Sequence, residues 1–417
     1  MRTHLRVLAR PAFRNLWLAQ TASVIGDRLV IVALALYVSD LTGSATDVGL
    51  VLGAQTLPLV VFLFIGGVWA DRLPRAALLI TTDVVRAVLH ALLAVLIFTD
   101  LVTVWHLVLI EALFGTAEAF FRPAYTGLLP RTVPETEIQE AQALSNMTAN
   151  LAELTGPALA TALVLGVGAG WAFLLDAATF AVSAVLTMRV RVNDAPPPAG
   201  KRNTLLAELA EGFDHVRSRA WLWVTVVVFS LAVPLGYAPL FVLGPTVSEE
   251  GYGSAALFGI VATLFGAGAL AGALAGLRWR PRRPMRAGYL VLAAWPVLLV
   301  VFGAGAPVPL VLALAFGMGV GFALFDVWWN TAMAERIPPH ALSRVSSYDW
   351  MGSVILLPVG FLAAGPIADA TSADTVMIVG GVLTAVVLAL GLLPRETRTL
   401  RRIERTPALR AEAPGGP

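Results

Sequence analysis

The feature that most constrains the fold is a series of twelve apolar runs, each close to the length of a membrane-spanning helix. A bilayer core of about 30 Å needs roughly 20 apolar residues in one helix. Hydrophobic residues make up 58% of the chain and charged residues only 13%, with a mean hydropathy of +0.78. The runs cover residues of about 15–39, 45–69, 77–98, 103–122, 142–166, 170–188, 221–243, 254–277, 287–304, 308–333, 342–367 and 375–393. We therefore predict an all-α integral membrane protein with twelve transmembrane helices.

The polar residues exclude several classes of function. The chain has no cysteine, and its five histidines are scattered without the spacing of metal ligands, so we predict no disulfide, no metal site and no cofactor. The pI of 9.2 comes almost entirely from arginine, but the arginines lie in short loops and not in one basic patch. This distribution indicates membrane orientation and argues against a nucleic-acid binder.

Basic residues in short loops mark the cytoplasmic side of a membrane protein. They precede run 1 and follow runs 2, 4, 6, 8, 10 and 12, whereas the alternate loops contain none. Arg28 and Arg86 are the two basic residues inside runs. We predict a multi-pass protein of the cell membrane with both termini in the cytoplasm. The basic tail is expected to contact anionic membrane lipid.

The longest connection divides the chain into two halves of six runs. Residues 189–220 contain a proline-rich stretch followed by an amphipathic one, which we expect at the cytoplasmic membrane surface. The halves echo each other: "FGTAEAFF" from Phe114 is matched by "FGMGVGFALF" from Phe316. We predict an N-terminal bundle at 1–188, a linker at 189–220, and a C-terminal bundle with a basic tail at 221–417. Such parallel repeats are typical of a rocking transporter.

The sequence resembles the major facilitator superfamily. "GGVWADRLPR" from Gly66 is similar to that family's motif between helices 2 and 3, and "FRNLWLAQTASVIGDRL" followed by "LTGSA" resembles its macrolide-efflux and enterobactin-exporter members. The resemblance implies two pseudo-symmetric six-helix bundles. It also implies a conformational latch, formed on the cytoplasmic side by Gly67, Asp71, Arg72 and Arg75.

Some residues depart from the family patterns. Pro74 replaces the second glycine of the loop motif. Glu111 stands where the proton-coupled exporters often carry an arginine in helix 4. In helix 5, Gly156 and Pro157 match the antiporter signature, and alanine and threonine occupy its other glycine positions. We therefore expect Gly156 and Pro157 to keep the close helix packing of that motif.

Ionisable side chains inside the runs are the candidates for chemistry. Such a group at mid-membrane costs about 2.5 to 3.5 kcal/mol, so it normally faces a partner or water. Acids outnumber arginines within the first half, so they cannot all be ionised. We predict that Asp27 pairs with Arg86, that Arg28 pairs with a helix 4 glutamate or Asp176, and that Glu111 or Glu118 carries a proton. A fixed structural network is the alternative. The proton-coupling and ion-pair candidates are Asp27, Arg28, Arg86, Glu111, Glu118, Glu153 and Asp176.

A second set of candidates lies in run 10. Trp328, Trp329 and Asn330 follow Asp326 and are expected either to line a cavity for an aromatic or cationic substrate or to pack in the core. Taken together, these features predict a monomeric secondary exporter of a lipophilic small molecule, working by proton antiport, and not an enzyme. A siderophore exporter or another solute transporter of the same fold is the alternative within transport. A non-transporting membrane sensor is the alternative outside it.

Overall fold

The protein is a bundle of twelve long helices. A computed structural model describes residues 6–70, 73–192 and 213–402, and no strand occurs within these ranges. The helices are α1 (Pro11–Thr42), α2 (Ala45–Ala70), α3 (Arg75–Phe98), α4 (Val104–Leu128), α5 (Ile138–Gly166), α6 (Ala169–Thr187), α7 (Ala220–Tyr252), α8 (Ala256–Arg278), α9 (Pro284–Gly303), α10 (Val308–Arg336), α11 (Pro339–Val354 and Leu357–Ala370) and α12 (Ala373–Gly391). A short α13 (Arg395–Thr399) follows.

Length and apolar composition decide whether a helix can cross a membrane. Eleven helices meet both requirements within the described residues, and in α5 the segment Thr155–Gly166 is a shorter apolar helix. Large apolar side chains on the outer surface, such as Val88 and Leu109, are each 61% exposed. Such exposure suits a surface that faces lipid. The prediction of an all-α protein with twelve spans is therefore confirmed.

Three spans of the second half are broken, whereas the sequence predicted continuous runs. A π-helical turn at Val233–Tyr237 interrupts α7, Leu292 and Ala293 interrupt α9, and Ile355 and Leu356 interrupt α11. Each break lies close to a proline: Pro234, Pro296 or Pro358. Proline has no backbone N–H and clashes with the carbonyl four residues earlier, so it weakens a regular helix and favours a kink or a break nearby.

The two halves repeat the same packing. In the first half, α2 packs on α4, α3 on α4 and α6, and α1 on α5 and α6. In the second half, α8 packs on α10, α9 on α10 and α12, and α7 on α11 and α12. Each pair in one half has its counterpart six helices later, as the sequence repeat predicts.

Glycines bring the helices of each half close together. A Cβ on Gly268 or Gly272 of α8 would press on the backbone of α10 at Phe316 or Val320. A Cβ on Gly115 of α4 would press on the backbone of α2 at Gln55. Gly115 and Phe316 lie in the two matching stretches noted in the sequence. Small residues at these positions allow van der Waals contact between helix backbones.

The alternation of the helices defines two faces. The basic face contains the start of α1 and the connections that follow the even-numbered helices. The opposite face contains the connections that follow the odd-numbered helices, and none of these includes arginine or lysine. The predicted amphipathic stretch of the linker falls mainly on residues 193–212, outside the described part of the chain.

Candidate functional site

A central cavity of about 610 Å³ lies between the two halves. Its walls come mainly from α1, α2 and α4 on one side and from α7, α10 and α11 on the other. Aromatic side chains from both halves line it: Phe114, Phe121, Tyr125, Tyr237, Phe322, Trp350 and Phe361. A concave, largely apolar site of this size suits a lipophilic small molecule.

The halves close tightly around the cavity towards the opposite face. A Cβ on Gly49 of α2 would clash with the backbone carbonyl of Phe361 in α11, and one on Gly53 would clash with Leu362. Near the end of this seam, the Thr46 hydroxyl donates to the Asp369 carboxylate at 2.5 Å. Gly259 of α8 meets Thr161 of α5 in a second seam. These two seams bring the halves into close contact between the cavity and the opposite face.

The cavity extends in the other direction, towards the basic face. Its lining continues along α4 to Thr126, two residues before that helix ends. There the Arg122 guanidinium lies 5.3 Å from the ring centre of Trp350 in α11, a cation–π contact between the halves. The cavity is therefore bounded by close helix contacts on one side and extends towards the other.

A buried ionic cluster lies behind the cavity wall in the first half. The Arg86 guanidinium is fully buried and donates to the Asp83 carboxylate at 2.6 Å. Its other terminal nitrogen lies 3.6 Å from a carboxylate oxygen of Asp27, which lines the cavity. The Ser183 hydroxyl of α6 donates to the second oxygen of Asp83 at 2.6 Å. The predicted contact between Asp27 and Arg86 is thus present.

His90 connects two further acids, one turn along α3. Its Nδ1 atom lies 2.5 Å from a carboxylate oxygen of Asp176 in α6. Its Nε2 atom lies 3.5 Å from a carboxylate oxygen of Glu111 in α4. All three side chains are fully buried. His90 therefore joins α3, α4 and α6 through one imidazole ring.

Aromatic rings enclose both groups of charges. The His90 ring stacks on Phe114, with ring centres 4.3 Å apart. The Arg86 guanidinium lies 4.2 Å from the ring centres of both Phe121 and Phe180. Ring faces attract cations, but they supply no hydrogen bonds to carboxylates. Aromatic hydrocarbon therefore surrounds the buried side chains of Arg86 and His90.

Glu111 is the least satisfied member of the cluster. Neither of its carboxyl oxygens has a hydrogen-bond partner among the described residues. A buried charge without hydrogen bonds costs several kcal/mol, roughly, unless a partner or a proton neutralises it. His90, at 3.5 Å, is the nearest basic group recorded for it.

Membership of a family follows from the sequence together with this fold. A family model of the Major Facilitator Superfamily matches residues 16–360. The chain belongs to the Major Facilitator Superfamily. It is accordingly a membrane transporter of small molecules, not an enzyme.

Several relatives that align with nearly the whole chain are named as efflux proteins or exporters. The chain is 23% identical over 397 residues to macrolide efflux protein A of Streptococcus pyogenes, covering 93% of this chain and 97% of that protein. It is 27% identical over 413 residues to the multidrug efflux pump Tap of Mycolicibacterium fortuitum, covering 94% and 97%. It is 24% identical over 415 residues to the enterobactin exporter EntS of Escherichia coli, covering 95% and 94%.

A solved superfamily structure supports the fold. The nucleoside transporter NupG superposes with a TM-score of 0.70 at 12% identity, covering 91% of this chain and 98% of that one. At this identity the likeness concerns the arrangement of helices alone.

The superfamily loop motif is described only in part. Asp71 and Arg72 lie outside the described residues, and Gly67 lies near the end of α2. The Arg75 guanidinium donates to the backbone carbonyl of Gly127 at 2.8 Å. Gly127 lies in the last turn of α4, so this contact joins the loop to a neighbouring helix end. The latch itself stays a prediction.

The helix 5 motif of the superfamily lies against α1. A Cβ on Gly156 would lie 2.5 Å from the Cβ of Arg28. Pro157 and Arg28 also line one small pocket between the halves. Close packing of α5 on α1 at Arg28 thus depends on a glycine. The side chain of Glu153, four residues from Pro157, lies outside the described residues.

Glu118 and Asp176, the predicted alternatives for pairing with Arg28, each have a further partner, and the pairing of Arg28 itself stays a prediction. The Glu118 carboxylate accepts from Arg122, with the closest contact at 2.5 Å, and the Asp176 carboxylate contacts His90. The fourth apolar run ends at residue 122, but α4 continues to Leu128, so Arg122 lies within the helix. Arg28 lies with Glu118 in the wall of the central cavity.

The candidates of α10 divide into two pairs. The Trp328 indole donates to the carbonyl of Trp279, and the Trp329 indole donates to the Asp349 carboxylate at 2.8 Å. Both indoles are buried among other aromatic rings. Asp326 and Asn330 are exposed and hydrogen-bonded to each other. They lie four and eight residues after Phe322, on the same helical face but nearer the basic face.

Within the described part of the chain, none of these four residues lines the central cavity. The cavity is lined instead by Phe322 of α10 and by four residues of α11: Trp350, Val354, Leu357 and Phe361. His90 is the site residue whose role the sequence analysis missed. Its spacing from Asp83 and Arg86, at seven and four residues, places all three on one face of α3 and was the available signal.

Proposed function

We propose that this transporter exports a lipophilic small molecule in exchange for protons, by alternating access between the two faces. The observation that carries the proposal is an aromatic cavity, bounded towards the opposite face by two seams, beside a buried cluster of acids. Asp27 and Arg86 belong both to the cavity wall and to the cluster. Substrate at the wall and a proton in the cluster would therefore act on the same pair of residues.

Glu111 is the proton carrier in this proposal, with His90 as its partner. Glu111 is fully buried, and neither of its carboxyl oxygens has a hydrogen-bond partner among the described residues. A bound proton would remove the cost of a buried charge without hydrogen bonds. Protonation of Glu111 would free His90 to pair with Asp176 alone. Glu118, which is paired with Arg122, is the second candidate carrier.

The orientation completes the proposal. Arginines concentrate in the connections of the basic face, as expected for the cytoplasmic side. Both termini would then be cytoplasmic, and the described state would be open inward. The functional unit would be a monomer of two bundles, at 1–188 and 221–417, joined by the linker at 189–220.

A siderophore exporter is the second candidate. It is favoured by the alignment with the enterobactin exporter over 95% of this chain. It is also favoured by Arg28, Arg86 and Arg122 in the cavity wall, which suit an anionic catecholate. A lipophilic cation would instead interact with Asp27 and Glu118.

Reconstitution in liposomes with an imposed pH gradient tests these proposals. The probes are ethidium, a macrolide and a catecholate siderophore, each measured with and without the gradient. We expect gradient-dependent flux of at least one probe. Flux of the siderophore alone would favour the second candidate, and no gradient-dependent flux of any probe would falsify proton-driven export.

The variants Glu111→Gln and Glu118→Gln test which glutamate carries the proton. Glu250→Gln is the matched control, because Glu250 is exposed near the opposite face. We expect gradient-driven flux to be lost in Glu111→Gln and retained in the control. Undiminished flux in both Glu111→Gln and Glu118→Gln would contradict the assignment to helix 4.

A further inference from the structure

A large basic pocket lies at the basic face of the second half, away from the central cavity. Its volume is about 1750 Å³. The α8–α9 connection and the first turn of α9 supply four arginines, and the segment after α13 supplies two more: Arg280, Arg282, Arg283, Arg286, Arg401 and Arg402. The end of α10 forms the remaining wall. We call this site the arginine pocket.

The positive charge of the arginine pocket is largely uncompensated. Glu335 is the acid among its lining residues. That carboxylate lies 3.7 Å from Arg402 and 3.3 Å from Arg336. Within the described part of the chain, the four arginines from Arg280 to Arg286 make no ion pair. Such a cluster favours an anion with several acceptor oxygens.

The position of the arginine pocket at the membrane interface favours a lipid headgroup over a soluble anion. Trp279, next to Arg280, is 51% exposed at the end of α8, where tryptophan typically marks the membrane interface. Leu290 also lines the pocket and is 58% exposed. It lies four residues after Arg286, on the same face of α9. The guanidinium groups of the pocket thus lie at the level of lipid headgroups, and an apolar surface adjoins them.

Two distant chain segments hold the arginine pocket together. The backbone N–H of Arg402 donates to the carbonyl of Arg282 at 3.2 Å. The Arg336 guanidinium donates to the carbonyl of Arg401. These bonds fix the segment after α13 against the α8–α9 connection. The arginines of both segments therefore face one shared volume.

We propose that the arginine pocket binds the phosphate headgroup of an anionic phospholipid, with an acyl chain along Leu290. Guanidinium groups bind phosphate through paired N–H donors, and clusters of them at a membrane surface favour anionic lipid. The bound headgroup would link the α8–α9 connection to the segment after α13. This site is independent of the transported substrate and of the proton.

The test uses the full-length protein purified in a neutral detergent. The probes are dioctanoyl phosphatidylglycerol, dioctanoyl phosphatidylcholine and inorganic phosphate, with bound lipid counted by native mass spectrometry. The pocket variant is Arg283→Gln/Arg286→Gln. The matched control is Arg189→Gln/Arg191→Gln, which removes the same charge from exposed arginines on the basic face of the first half.

We expect phosphatidylglycerol affinity to fall about thirtyfold in the pocket variant and less than about twofold in the control. Elution of both variants as monodisperse protein confirms that they are folded. Equal losses in the two variants would overturn the proposal, because the attraction would then be general surface charge. Equal binding of phosphatidylcholine, or displacement of phosphatidylglycerol by millimolar phosphate, would also overturn it.

Discussion

Arg86 holds the ionic cluster of the first half together. It is the cation between Asp27 and Asp83, and its guanidinium is enclosed by Phe121 and Phe180. Removing one member of a buried ion pair typically costs about 3 to 5 kcal/mol, because the remaining charge is left without a partner. The stability of the first half should therefore depend strongly on this residue.

We predict that Arg86→Gln lowers the unfolding temperature in detergent by about 5 to 10 °C. Asp83→Asn/Arg86→Gln should recover part of that loss, because it removes both charges. The exposed pair of Arg217 and Asp214 provides the control, and Arg217→Gln should leave the temperature nearly unchanged. Thermal aggregation followed by size-exclusion chromatography measures all three. A double variant less stable than Arg86→Gln would contradict the pairing.

We expect His90 to take part in transport and not only in packing. Because it contacts both Asp176 and Glu111, we predict that His90→Gln lowers gradient-driven flux about tenfold or more and alters its pH profile. His106, which is exposed at the start of α4, gives the control His106→Gln. That variant should stay within about twofold of wild type. Equal effects of the two substitutions would argue against a role for the imidazole.

Residue identities predicted part of this cluster but not its connections. The sequence identified the buried acids and the contact between Asp27 and Arg86, because unpartnered charge is costly in a membrane. It did not identify the partners of Asp176 and Glu118. Helical spacing fixes which face a residue occupies, but the rotation of α3 against α4 and α6 decides which acid reaches His90.

At the scale of helices, the seam between α2 and α11 determines which face is closed. Gly49 permits the backbone of α11 to approach at Phe361. A larger side chain there has no space unless the two helices separate. Seams of this kind let a small change at one residue alter the balance between inward-facing and outward-facing states.

We predict that Gly49→Val opens the cavity towards the opposite face. The chain lacks cysteine, so Thr56→Cys, in the cavity wall, reports access to a membrane-impermeant maleimide. Labelling from the opposite face should be about tenfold faster when Gly49→Val is added. Gly166→Val, at a site with no neighbour within 4 Å, should leave labelling unchanged. No acceleration in the Gly49 variant would contradict the role of the seam.

The number and pairing of the helices followed from hydropathy and from the sequence repeat. Their internal breaks did not, although Pro234, Pro296 and Pro358 were visible. Proline disrupts a helix locally, but α2 and α5 contain Pro58 and Pro157 without a break. Whether a helix bends or breaks at proline depends on the neighbours that take up the freed carbonyl groups.

At the scale of the whole molecule, the distribution of arginine predicts the sidedness. Single cysteines at Ser254 and at Ser218, both exposed but on different faces, report it in intact cells. We predict that an impermeant maleimide labels Ser254→Cys and not Ser218→Cys. After the membrane is permeabilised, both should be labelled. Labelling of Ser218→Cys in intact cells would reverse the proposed orientation.

In the proposed mechanism, export of substrate is coupled to a proton bound at Glu111. The most direct test is to follow proton movement with a pH-sensitive dye inside proteoliposomes when a transported probe is added. We predict substrate-induced proton movement for the wild-type protein and none for Glu111→Gln, although that variant still exchanges labelled for unlabelled substrate without a gradient. Undiminished proton movement in Glu111→Gln would contradict the account.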